Sequence, residues 1–167
     1  MISLRLLTLT AALTALAACS PRLDWREVRP AGSGLLALFP CKPEVDSRPA
    51  TAEQPVRMGL AQCKSGETSF SISWAEVADP GLVTAALHEM RGSLAGKLGV
   101  PLAAGQPLQV PGMTPNAEAQ VQRLAGIQPA QVAVFARGRV VYQVLMLGGK
   151  RDEGAWSTFV GSIRLDA

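Results

Sequence analysis

Residues 69–74 read Ser-Phe-Ser-Ile-Ser-Trp, with Phe70, Ile72 and Trp74 alternating strictly with Ser69, Ser71 and Ser73. A period of two belongs to a β-strand, whose successive side chains point to opposite faces, so the segment is a strand with one buried and one polar face. A helix would scatter the same residues around its axis. Just before it, Val56, Met58 and Leu60 alternate less cleanly with Arg57, Gly59 and Ala61. Between the two runs, Lys64-Ser65-Gly66-Glu67 supplies turn chemistry, with Gly66 free to take positive φ. Residues 56–64 and 68–77 therefore read as a hairpin.

The rest of the chain is assigned around that hairpin. Residues 20–34 are polar and rich in Pro and Gly, a tether with a short strand near residues 25–28. Leu35–Phe39 is an apolar strand stopped by Pro40, and Pro43, Pro49 and Pro55 punctuate a loop to the hairpin. Asp79 followed by Pro80 is an N-cap and first-turn pair. Val83, Leu87, Met90, Leu94 and Leu98 then recur at helical spacing until Gly99 and Pro101 end the helix. His88, Glu89 and Arg91 fall off that stripe and are expected in solvent. A Gly/Pro-rich crossover, residues 99–116, leads to strands at 117–124, 131–136 and 140–147, the last two joined by Arg137-Gly138-Arg139. A final helix starts at Asp152 or Glu153 and carries Trp156, Phe159, Val160 and Ile163 on one face. Hairpin connections make an antiparallel sheet, and helices with one apolar stripe must pack on it. The expected fold is a single α+β domain, residues 35–167.

Composition narrows the function classes. A net charge of +3 is spread singly along the chain and only 5% of residues are aromatic, whereas nucleic-acid binding needs a concentrated basic face with stacking rings. No nucleic-acid partner is expected.

The N-terminus reads as an address. Arg5 is followed by an apolar run to Ala18, interrupted only by Thr8, Thr10 and Thr14. A cationic start, a short apolar stretch and small residues before a cut are the pattern of a secretory signal, and the run is shorter than the ~20 residues a spanning helix takes. Leu16-Ala17-Ala18-Cys19 resembles the lipobox of bacterial lipoproteins. That resemblance implies a signal peptide over residues 1–18, lipidation of Cys19 and a tether over 19–34. Ser20 after the Cys, rather than Asp, is similar to the sorting pattern for the outer membrane of a Gram-negative host. The chain is thus expected on the periplasmic face of a membrane, held by its N-terminal lipid (palmitate among the acyl groups). Two or more acyl chains are what makes such an anchor lasting.

With Cys19 lipidated, Cys41 and Cys63 remain, an even pair in an oxidising compartment, and both sit beside predicted strands. A disulfide is expected; a reduced pair or a metal site are the alternatives, the latter short of the four ligands zinc takes.

Catalytic chemistry finds few residues to use. His88 is the only histidine, on the polar side of a helix. Gly32-Ser33-Gly34 and Gly148-Gly149-Lys150 lack the spacing of a phosphate-binding loop. No metal site or cofactor is expected. Trp74, Tyr142 and Phe159 are the candidates for lining a ligand pocket between sheet and helix, with core packing as the competing role.

LALFPCKPE, SISWAEVADP and GRVVYQVLMLGG followed by WSTFVGSIRL are similar to segments of small exported bacterial domains of the PsbP-like α/β/α sandwich type. Gly161 and Ser162 depart from the usual pattern there. The resemblance implies an antiparallel sheet with helices on both sides and a non-enzymatic accessory or binding role. The expectation is a non-catalytic envelope lipoprotein that presents a surface to a protein partner, the alternative a carrier or sensor of a small apolar ligand.

Overall fold

The computed structural model describes residues 23–166; the segment read as a signal peptide and Cys19, the expected lipidation position, lie outside the described residues. The strands are β1 (Arg26–Val28), β2 (Leu35–Phe39), β3 (Glu44–Arg48), β4 (Met58–Ser65), β5 (Thr68–Glu76), β6 (Gln106–Pro107), β7 (Gln120–Ala125), β8 (Pro129–Arg137), β9 (Val140–Leu147) and β10 (Arg164–Leu165). Two helices, α1 (Val83–Lys97) and α2 (Glu153–Gly161), complete the fold. The architecture is α+β, with a seven-stranded sheet in the order β3-β4-β5-β9-β8-β7-β6 and a three-stranded sheet in the order β1-β2-β10. Every pairing is antiparallel.

The alternation in β5 determines the two faces of the large sheet. Phe70, Ile72 and Trp74 are buried with Ala133, Phe135, Tyr142, Val144 and Met146 in a core closed by α2 and the small sheet. On the opposite face α1 packs on β8 and β9, burying Val83 and Leu87 against Val132, Val134 and Val141. β8 is buried at seven consecutive positions from Ala130 to Ala136, because both of its faces are covered. Ser69, Ser71 and Ser73 lie on the α1 side of β5 and are half-buried. Gly66 and Gly138 sit at φ 59° and 54° in the turns that close β4–β5 and β8–β9, a region L side chains rarely enter.

Helix starts follow their local chemistry. Asp79 accepts a hydrogen bond from the Gly81 N–H at 2.6 Å and opens the 3-10 turn Pro80–Leu82 that runs into α1. Asp152 accepts from the Ala155 N–H at 2.8 Å and caps α2.

The structure departs from the sequence reading at several places. The proline-marked loop contains β3, whose five residues are all exposed. It is an edge strand carrying Glu44, Asp46 and Arg48, so it has no apolar periodicity to read. From Leu23 onward the expected tether belongs to the fold. Its β1 pairs with β2, the Asp24 N–H donates to the Pro40 carbonyl, and Trp25 and Val28 pack on the core. Arg91, expected in solvent, is buried at 3% exposure in the row Val83, Leu87, Arg91, Ala95, whereas Met90 and Leu94 of the expected stripe are only partly buried. Val83, Leu87 and Leu98 of the expected stripe are buried; the row shifts by one position only at Arg91 and Ala95, where an ion pair with Glu118 admits a charge.

Candidate functional site

Helix α1 does not cover its whole face of the sheet. It lies over β8 and β9 and leaves the wing β3-β4-β5 open beside it. Registers Leu60↔Ser73 and Met58↔Ala75 place these four residues together on that open surface. Two shallow depressions result, of about 390 and 460 Å³, and they share Ala75 and Met90. Together they form a groove with Met58 and Leu60 on the wing side and Met90 and Leu94 on the helix side. Met58 is 42% exposed. At the floor the Gln143 amide donates to the Met90 carbonyl at 3.1 Å, which ties α1 to β9. Asp46 and Arg48 flank one end, Glu89 and Lys97 the other, so the rim is charged with both signs while the middle is apolar.

The opposite side of the wing explains why β4 carries a glycine. Gly59 pairs with Trp74, and a Cβ at Gly59 would stand 2.2 Å from the indole ring. The Trp74 ring therefore lies directly on the Gly59 backbone and fills the space a side chain would need.

Of the expected pocket residues, Trp74 borders the groove as part of β5, but it is 2% exposed and its side chain packs in the core on the opposite face, beside its cross-strand neighbour Tyr142. Tyr142 is 2% exposed; its ring stacks on Phe135 with centroids 4.9 Å apart, and its hydroxyl donates to the Ser33 carbonyl at 2.8 Å. Burial pushes its pKa up to about 12. Phe159, fully buried on α2, meets Phe39 and Phe70 edge to face at 5.1 and 5.6 Å. Tyr142 and Phe159 thus act as packing between layers.

The one histidine belongs to an ion cluster on α1. Glu118 lies 3.4 Å from His88 Nδ1 and 2.5 Å from the Arg91 guanidinium, which also donates to the Ala103 carbonyl at 3.4 Å. The Arg91 hydrogen bond and charge, helped by His88, hold the Glu118 carboxyl below the usual carboxylate range. Asn116 orders the approach, accepting from the Glu118 N–H and donating to Thr84 Oγ1, each at 2.9 Å. The cluster fastens the crossover to α1.

Cys41 and Cys63 form a disulfide, with Cα atoms 5.9 Å apart. Cys41 follows β2 of the small sheet and Cys63 lies in β4 of the large one, so the bond staples the two sheets together. Among the described residues no group of three or more His, Cys, Asp or Glu side chains is placed to hold a metal ion. Nor is any helix among them long and apolar enough to cross a membrane. Met90 and Leu94, the lateral wall of the groove, were not legible as site residues, because helical period alone assigns both to the core. No protein-family model matches this sequence, and no curated protein matches it.

Proposed function

We propose that this chain is a non-catalytic lipoprotein of the cell envelope that engages a partner protein through the groove between α1 and the open β3-β4-β5 wing. The observation carrying this reading is the incomplete cover of one sheet face. Met58, Leu60 and Met90 stay accessible in a groove rimmed by charges of both signs. Methionine is flexible and polarisable, so such a lining adapts to an apolar partner segment. The role of His88 as a partner of Glu118, within a cluster that holds α1, also supports a non-catalytic reading. Photocrosslinking from Ser73, on the groove floor, tests the surface: a discrete partner product that is lost with Met58→Glu supports it, and a product indifferent to that substitution contradicts it.

The anchor rests on the motif ending at Cys19. Asp24 already bonds to Pro40, so the five residue steps from Cys19 to Asp24 reach at most about 18 Å. Lipidation at Cys19 would hold the domain close to the bilayer surface, on our reading the periplasmic face of the outer membrane. Metabolic labelling with palmitate checks this: Cys19→Ser abolishes the label, and undiminished label refutes the anchor. We read the fold as a PsbP-like sandwich, a reading supported by the placement of one helix on each face of the large sheet.

One observation favours a second reading, a carrier of a small apolar ligand: Met58, Leu60 and Met90 give the groove an apolar middle. Saturable binding of a hydrophobic dye, lost in Met58→Glu, would support it.

A further inference from the structure

The strand registers bring one end of the large sheet to the point where the chain enters the domain. The Asp24 N–H donates to the Pro40 carbonyl at 2.9 Å, Cys41 follows, and its disulfide to Cys63 fixes that entry beside the β4–β5 turn. The pairs Cys63↔Phe70, Phe70↔Met146 and Gln131↔Met146 carry the same end across β5, β9 and β8. The β9–α2 loop therefore lies there, tied to the β7–β8 turn by the Gly148 N–H on the Pro129 carbonyl at 2.9 Å. The C-terminus of α1 reaches it too, since the Leu98 carbonyl accepts from the Ile127 N–H at 3.1 Å.

All four lysines of the chain stand at this end. Lys42 and Lys64 directly follow the two cysteines of the disulfide, Lys97 closes α1, and Lys150 lies in the β9–α2 loop. Each is exposed, and none forms an ion pair among the described residues. Glu44, Glu67 and Asp152 lie among them, Asp152 as the cap of α2, and Arg123 and Arg151 share Glu153, so the balance of charge stays positive. Beside Lys97 stands Ile127, 82% exposed in the β7–β8 turn. That turn is clamped: a Cβ on Gly126 would stand 2.2 Å from the Leu98 carbonyl oxygen. One exposed apolar side chain signifies little alone. Here it projects from the same end as four unpaired lysines and the entry of the chain.

We propose that this end of the domain is seated on a bilayer containing anionic phospholipid, with Ile127 in the headgroup layer and the four lysines on lipid phosphates. The proposal rests on lipidation of Cys19, which the chain allows no more than about 18 Å from Asp24. Arg48 and Arg137, at the opposite end, also make no ion pair, so charge alone does not choose between the ends; the tether does. Cations near an anionic surface and an apolar side chain in the interface each add to the hold of the acyl chains. The strands then rise from the membrane, and the groove beside α1 faces sideways along it.

The test places a photocrosslinking amino acid at Ile127 of the acylated protein or, as control, at Leu82, 52% exposed at the other end of α1. The protein is held in vesicles of phosphatidylcholine, alone or mixed with phosphatidylglycerol, and mass spectrometry reads both the lipid adducts and the acyl group on Cys19. In the mixed vesicles adducts from position 127 exceed those from position 82 by about fivefold or more, roughly what one lysine near an anionic surface contributes. The yield from position 127 falls by a similar factor without phosphatidylglycerol. It also falls when Lys42→Gln, Lys64→Gln, Lys97→Gln and Lys150→Gln are combined, a variant that keeps its Tm because none of the four has an ion-pair partner to lose. With the acyl group present, equal yields from both positions overturn the proposal and leave the anchor standing. So does a yield from position 127 indifferent to the anionic lipid or to the lysines. A Cys19 that carries no acyl group overturns the anchor, and the proposal with it.

Discussion

The Tyr142 hydroxyl donates to the carbonyl of Ser33 at 2.8 Å, a bond between the central strand β9 and the turn that links β1 to β2. Ser33 is itself buried, and its hydroxyl donates to the Pro30 carbonyl at 2.7 Å. This chain of bonds sews the small sheet to the large one at a point where water does not reach. Tyr142→Phe leaves the Ser33 carbonyl without its donor and costs about 1–3 kcal/mol, measured by urea denaturation.

The same tyrosine sets an alkaline limit. Its folded pKa, about 12, lies above the ordinary value of 10, so the unfolded chain loses the phenolic proton first. The stabilisation is fully present below pH 10 and is lost as pH rises from 10 through 12, by about 3 kcal/mol in all. Stability measured across that window falls in the native protein, and Tyr142→Phe flattens this component.

Arg91 and Glu118 predict an acid counterpart. Arg91→Ala removes the charge that faces Glu118 from α1 and frees the Ala103 carbonyl, and we expect a loss of about 3 kcal/mol. Because the Glu118 pKa is lowered in the fold, its contribution is present above the unfolded carboxylate pKa and disappears as pH falls through the folded value. Glu118→Gln flattens that acid limb of the stability profile.

Removing the staple between the sheets has a comparable cost. The Cys41–Cys63 bond closes a sequence separation of 22, for which chain entropy gives about 3 kcal/mol. Intact mass rises by about 2 Da on reduction, one hydrogen per sulfur. Tm falls under reductant in the native protein and not in the double variant Cys41→Ser/Cys63→Ser.

Gly59→Ala tests the wing. A methyl group 2.2 Å from the Trp74 ring forces the indole off its strand, and we expect a loss of about 1–3 kcal/mol together with a change in Trp74 fluorescence.

These residues also show what was readable in the chain and what was not. The serine–aromatic alternation of β5, the Asp79 and Asp152 caps and the Cys41–Cys63 pair carry local chemistry, and each sits in the structure as that chemistry dictates. Strand β3 escaped because an edge strand with every residue exposed has no apolar rhythm; its partner β4 makes it a strand. Arg91 escaped because its burial depends on Glu118, 27 residues later in the chain. The groove arises from α1 lying over β8 and β9 rather than over β5, a choice of tertiary packing that no local pattern encodes.

The open wing is the surface we propose for a partner protein. A photocrosslinking amino acid placed at Ser73 of the full-length chain in cells, with Ser157 on the exposed side of α2 as control, probes it directly. We expect a discrete crosslinked protein from position 73, not from position 157, that disappears when Met58→Glu is added without lowering Tm. Equal crosslinking from both positions, or a product indifferent to Met58→Glu, would contradict the assignment.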